Sequence, residues 1–335
     1  MMRDRMKDKK IPILIVLLAF VAMITIGVKK LGDSNQTSLI GTSLISIDDM
    51  VKVDQIRLQK GENVVHLEKN KSDLWVVMGQ EEFPASGEKV VNFLEQLNLI
   101  RYQGKASSRK EKWPQLGLKD DKVELKVGDK NKTFFLGKAR KGGGQYIAKE
   151  GSVDSWLVDK EIALDIKPEL WELDVLVDVA GEKAKSVALF PKNPKSKSVT
   201  FSRKNKEEEL VMEGILGEEK SNRAVVKELE SILTRLVYKE KVKSDTNEKI
   251  VNSLKHVSDF KMETFDGDKY VISVRSHGAK DPEYFLTVEL NNSKDVAKEQ
   301  LYKNLNGVWL FKFDSQQALK FARGRSEFLE KKVKN

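Results

Sequence analysis

The sequence predicts an α+β protein: an N-terminal transmembrane helix followed by two repeated modules of mostly antiparallel sheet with packed helices. Three observations lead there. Residues 11–28 form a charge-free apolar run. Short runs such as Val123–Val127 and Phe260–Phe265 alternate apolar and polar residues, the period of a strand with one covered and one wet face. The same order of elements, three strands, a helix and then further strands, occurs twice.

A basic tail fills residues 1–10. Ile11–Val28 would span about 27 Å as a helix, close to the hydrocarbon thickness of a bilayer. Pro12 falls in the first turn, where a missing N–H is no loss. Five Lys/Arg precede the run and two follow at once, so the positive-inside rule keeps the N-terminus cytoplasmic. The chain is then expected in the inner (cytoplasmic) membrane as a single-pass protein, with its C-terminal part periplasmic or extracytoplasmic. A cleaved signal peptide would have a shorter apolar core and a small-residue cleavage site. Gly27-Val28-Lys29-Lys30 stands there instead, which favours an uncleaved signal anchor. Residues 29–48, rich in Gly, Ser, Thr and Asn, read as a linker.

The first module, residues 49–180, opens with strands at Gln55–Leu58, Val64–Leu67 and Leu74–Met78, separated by turns at Lys60–Glu62 and Asn70–Ser72. The second, residues 181–330, repeats the pattern at Ser186–Phe190, Val199–Phe201 and Leu210–Met212. A helix follows in each. Ser86 is the expected N-cap before Val90, Leu94 and Leu97; Ser221 is the expected N-cap before Val225, Leu229, Ile232 and Leu236. Spacings of three and four put those residues on one stripe that packs on the adjacent sheet. Further strands complete each module, with short helices expected near Lys160–Asp165 and Ser315–Arg323.

Composition excludes several chemistries. The 335 residues contain no cysteine and three histidines, His66, His256 and His277, which leaves thiol chemistry without parts and offers no histidine-based metal set. No catalytic residue, cofactor site or metal site is predicted. The net charge is +9, but residues 1–30 carry +5 of it, and the other 305 residues hold 53 basic against 49 acidic side chains. So mixed a surface does not suit a phosphate-neutralising groove, and no nucleic-acid partner is expected.

The remaining candidates are weighed against ordinary structural roles. His66 lies between Val65 and Leu67 and is expected to face solvent from a strand; His256 is expected near the end of a helix over Glu248–His256; His277 falls in a loop. Gly142-Gly143-Gly144 follows Lys138, Arg140 and Lys141, but no helix comes next, so a hairpin tip is expected rather than a phosphate cradle. Asp120-Asp121 and Asp266-Gly267-Asp268 carry turn chemistry. Trp75, Trp156 and Trp309 are placed in cored strands, whereas Trp113 and Trp171 are expected to be more exposed. Trp113, Trp171, Lys138, Arg140 and Lys141 are therefore the candidate partner-binding residues.

Trp75-Val76-Val77, then Phe83-Pro84-Ala85 and an amphipathic helix, resemble the opening of the domain-of-unknown-function family 4340. Leu116-Gly117-Leu118, Leu136-Gly137-Lys138, Gln145-Tyr146-Ile147 and Trp156-Leu157-Val158 follow in that family's order over about residues 50–165. The sequence departs from it at Leu116, where an aromatic commonly stands, and at Asp121, where a proline does. Members are typically single-span membrane-anchored bacterial proteins, often encoded beside an ABC-type transport system of the gliding-motility kind. The resemblance implies a non-enzymatic accessory or scaffold role in such a membrane complex, with ABC-type transporter subunits as partners, and supplies no catalytic residue. A module binding envelope polymer or lipid is the alternative, followed by a carboxylate-dependent envelope hydrolase.

Overall fold

The computed structural model describes residues 39–79 and 81–330. The anchor over Ile11–Val28 lies outside them, and among the described residues no helix is long and apolar enough to cross a membrane. The chain divides into two units, Met1–Thr42 and Ser43–Asn335. Of the first, residues 39–42 form a turn closed by the Thr42 N–H and hydroxyl on the Leu39 carbonyl, at 2.9 and 2.6 Å.

The first module starts with a capped turn, α1 (Ile47–Met50), whose Ser46 and Asp49 form a capping box. Strands β1 (Val53–Lys60), β2 (Asn63–Lys69), β3 (Trp75–Val77) and β4 (Phe83–Pro84) lead to α2 (Gly87–Leu99). Ser86 caps α2 by accepting the Lys89 N–H at 3.4 Å, and Val90, Phe93, Leu94 and Leu97 are its buried stripe. After β5 (Tyr102–Ser107) and the single turn α3 (Trp113–Leu116) come β6 (Lys122–Val127), β7 (Lys130–Ala139), β8 (Gln145–Lys149) and β9 (Ser155–Val158).

The second module is entered through β10 (Val175–Val177). It continues with β11 (Ala184–Pro191), β12 (Val199–Ser202), β13 (Val211–Met212), α4 (Arg223–Glu230), β14 (Leu236–Val237) and β15 (Glu240–Lys243). Then follow α5 (Glu248–Ser253), β16 (Lys255–Thr264), β17 (Lys269–His277), β18 (Glu283–Asn291), α6 (Val296–Leu305), β19 (Trp309–Phe313) and α7 (Ser315–Lys320).

Strand order makes the repeat explicit. The nine-stranded sheet runs β4-β3-β2-β1-β6-β7-β8-β9-β5 and the eight-stranded sheet runs β13-β12-β11-β16-β17-β18-β19-β15. Apart from β4 the two orders correspond strand for strand, and neighbours pair antiparallel. The protein is thus mixed α+β, with repeated antiparallel modules. The largest difference in length lies between the last two strands of the meander: α6 is inserted where the first module has the turn Glu150–Asp154.

Five local expectations are corrected. His277, expected in a loop, is the last residue of β17 and pairs with Glu283 on β18. Residues 160–167 form no helix; Ile162 is buried and its N–H is held by Gln145 Oε1 at 3.0 Å, which fixes an irregular path. The N-cap of α4 is Asn222, because Ser221 is taken up in a bridge to Leu329. That helix stops at Glu230 instead of running to Leu236, since Leu236 and Val237 pair with β10 and Arg235 adopts a φ of 49°. His256 lies in β16, not at a helix end, because α5 closes at Ser253.

Candidate functional site

Of the predicted contact residues, the two tryptophans are not exposed. Trp113 is 7% and Trp171 5% exposed, which corrects the expectation that they present open aromatic surface. Trp113 packs with Leu118, Ala148 and Phe135, and its Nε1–H donates to the Val153 carbonyl at 3.4 Å. Pro114 and Gly117 bound a single helical turn that tucks the indole against the sheet. Trp171 meets Phe93 edge to face at 5.5 Å and donates Nε1–H to the Asp165 carbonyl at 2.7 Å. Its own carbonyl accepts the Ser86 N–H at 2.8 Å, so it fastens the chain leaving the first module to the start of α2.

Lys138, Arg140 and Lys141 are exposed at the β7–β8 hairpin. Lys138 Nζ lies 3.4 Å from the Gln115 carbonyl, beside the turn that carries Trp113. The tip is closed by Arg140 N–H on Gly144 O at 2.8 Å and Gly143 N–H on Arg140 O at 3.0 Å. Gly142, Gly143 and Gly144 all have positive φ, and a Cβ on Gly144 would lie 2.1 Å from the Val158 carbonyl. The glycines thus make a tight hairpin that presents three cations. The structure brings Lys138 and the Trp113 turn together, while Trp171 packs against α2.

The histidines and carboxylates are engaged locally. His66 faces away from buried Val65 and Leu67 and lies 3.7 Å from Glu68. His256 Nε2 is 2.9 Å from Asp259 Oδ1, which also accepts the Ser273 hydroxyl at 2.7 Å. Burial pushes the Asp259 carboxyl up, but these contacts and Lys192 hold it below its ordinary range. Ser253 Oγ is 2.6 Å from His277 Nδ1, yet its hydroxyl donates to the Ile250 carbonyl at 2.7 Å. Asp121 accepts the Gly61 N–H at 3.0 Å and Asp268 pairs with Lys298 at 2.9 Å. Among the described residues no group of three or more His, Asp or Glu could hold a metal ion.

One feature had no sequence signal of its own: the junction of the modules. Phe83, on β4 of the first sheet, is fully buried in the core of the second. Its ring meets Trp309 edge to face at 4.9 Å, and Lys241 Nζ lies 4.1 Å above it. Lys241 pairs with Glu172, and both side chains are largely buried. Tyr238 donates its hydroxyl to Leu173 O at 2.6 Å and Tyr302 to Leu176 O at 2.7 Å, so the connecting segment is bonded to the second module along its length. The periodicity of a two-residue strand is too short to show that Phe83 belongs to a distant core.

Tandem antiparallel modules of one strand order, joined by a shared aromatic junction, define the class of protein. Residues 75–270, more than half of the chain, match the family described as Domain of unknown function (DUF4340), and the chain belongs to that family. No curated protein and no solved structure matches it.

Proposed function

We propose that the protein is a single-span, membrane-anchored extracytoplasmic accessory or scaffold subunit of an ABC-type transport complex, acting without catalysis of its own. The observation that carries this reading is the junction: Phe83, Glu172, Lys241 and Trp309 lock two sheet modules into one core. A locked pair of modules presents its loops and edges in fixed relation, which is what a scaffold requires. Ile11–Val28 supplies the anchor, and the family resemblance supplies the transport setting.

The test is a mild-detergent pull-down of the full-length protein, tagged at its N-terminus. ABC-type membrane and ATPase subunits are expected in stable ratio. Recovery of the protein alone overturns the transporter reading.

Lys138, Arg140 and Lys141 on one exposed hairpin favour a second reading, contact with anionic envelope polymer or lipid headgroups. Full-length protein in vesicles would then pellet cell-wall polymer at low salt, and replacing the three cations would abolish it. Equal pelleting with and without them ends that reading.

A further inference from the structure

The β7–β8 hairpin and the point where the chain enters the first module lie at the same end of the first sheet. Gln145, which opens β8, pairs with Val158 on β9, and Val158 pairs with Tyr102 on β5. Arg101, just before Tyr102, bridges Ser43, and the Leu44 N–H donates to the Ile100 carbonyl at 3.3 Å. Three strand spacings therefore separate the hairpin from Ser43 across that end, roughly 15 Å.

The hairpin is basic without compensation. From Lys130 to Lys149 the chain holds six basic residues and no Asp or Glu. Three of the six, Lys138, Arg140 and Lys141, stand at the tip, and among the described residues none of the three makes an ion pair. Acids elsewhere at this end are engaged or matched. Asp121 accepts the Gly61 N–H at 3.0 Å and Asp159 the Arg101 N–H at 2.8 Å. Exposed Asp120 and Glu161 each follow an exposed lysine, Lys119 and Lys160.

The tip is braced as well as charged. Gln145 Nε2 donates to the Gly137 carbonyl at 3.0 Å, and a Cβ on Gly137 would meet the Leu116 carbonyl at 2.5 Å, so the base of the hairpin is seated on the turn that carries Trp113. Cations on a fixed turn lose little freedom when they meet a surface.

The second module shows the same hairpin without the charge. Between β17 and β18 the chain turns through Gly278-Ala279-Lys280-Asp281-Pro282, one cation beside one anion. Two hairpins at the same place in the strand order thus differ in charge, and the basic one belongs to the module entered first. Fourteen residues, 29–42, separate Ser43 from the apolar run Ile11–Val28. Fully extended they reach about 50 Å at most, so an anchored chain keeps this hairpin close to the headgroups at a high effective concentration of lipid.

We infer that the β7–β8 hairpin docks on anionic lipid headgroups of the bilayer that anchors the chain. Lys138, Arg140 and Lys141 meet lipid phosphates, and the docked tip sets the tilt of the first module on the membrane. Such contacts depend on lipid charge and weaken with salt. The inference deepens the second reading above by committing it to lipid, and it rests on the anchor over Ile11–Val28.

Because the chain has no cysteine, one thiol can be placed at will. Ala139→Cys, exposed between Lys138 and Arg140, carries a fluorophore in the full-length protein, reconstituted in vesicles of phosphatidylcholine alone or mixed with phosphatidylglycerol, each containing a lipid with a nitroxide headgroup as quencher. Strong quenching is expected in the anionic vesicles, reduced about fivefold or more in phosphatidylcholine, at high salt, or by Lys138→Gln, Arg140→Gln and Lys141→Gln together, with the melting temperature unchanged. The reference probe is Val296→Cys, 78% exposed on α6 of the second module. Quenching that is absent from anionic vesicles, equal in phosphatidylcholine, indifferent to the three substitutions, or as strong at position 296 overturns the inference. Cation-dependent pelleting of cell-wall polymer without quenching at position 139 keeps the hairpin as a polymer contact and removes the lipid docking. Release of the protein from its native membrane by alkaline carbonate, with cation-dependent quenching retained in added anionic vesicles, removes the anchor and sustains the docking.

Discussion

The rings of Phe83 and Trp309 meet at 4.9 Å and 85°, although Phe83 closes the edge of the first sheet and Trp309 belongs to a strand of the second. Phe311 and Tyr238 complete the collar, each 6.3 Å from Phe83. A residue contributed by one module is thus a core residue of the other, and the two share stability through it.

Replacing Phe83 with Ala is expected to cost about 3–5 kcal/mol, the range for a buried phenylalanine. More telling is the shape of the unfolding curve. Calorimetry should show a single transition for the natural protein and two separated transitions for Phe83→Ala, because the modules lose their common core. A variant that melts in one step at the original temperature would show that the modules are coupled by something else.

Glu172 and Lys241 form the ionic part of the same junction, with the ammonium also resting over the Phe83 ring. Removing one partner leaves the other charge desolvated and unpaired, at a cost of about 3 kcal/mol, whereas removing both leaves neither. Glu172→Gln and Lys241→Met should each destabilise strongly in denaturant titrations, and the double variant should recover most of the loss. Additive single effects would mean that the pair contributes nothing as a pair.

The sheets, the repeat and the helix that follows the opening strands of each module are legible in the sequence because alternation and the three-four spacing are local properties. Ser86 could be read as a cap for the same reason. What local pattern does not contain is the choice between solvent and a distant partner. Trp113 stands beside Pro114 and two lysines, a polar setting that suggests exposure, yet Val153 and Phe135, both remote in sequence, cover it. Leu236 continues the apolar period of α4, but it pairs with Val177 of β10, far back in the sequence, and the helix ends early.

Asp49 makes an acid-sensitive clasp between α1 and β7. Burial pushes its carboxyl up, but hydrogen bonds from Lys132 at 2.6 Å and from Ser46 outweigh this, and its pKa falls from 3.8 to about 2. A carboxylate held below its ordinary value stabilises the fold fully at neutral pH, and that contribution is lost as the pH falls from about 4 toward 2. Asp49→Asn should therefore cost about 1–2 kcal/mol at pH 7, after allowance for solvent screening. The gap between variant and natural protein should narrow below pH 4. A gap independent of pH would assign the loss to the cap geometry and not to the charge.

The basic hairpin gives the sharpest contrast within a few residues. Gly142 and Gly144 both have positive φ, at 97° and 86°, so an alanine at either is strained by about 1 kcal/mol. They differ in what the added methyl meets. At Gly142 nothing lies within 4 Å; at Gly144 the Val158 carbonyl is 2.1 Å away, and that backbone belongs to β9. Gly142→Ala should therefore lower stability by about 1 kcal/mol and leave the tip and its three cations in place. Gly144→Ala must push β9 from β8, and a loss of about 3 kcal/mol or more is expected, with faster amide exchange along Gln145–Lys149. Equal effects of the two substitutions would show that the tip relaxes independently of the sheet, and that Lys138, Arg140 and Lys141 are not held in fixed positions.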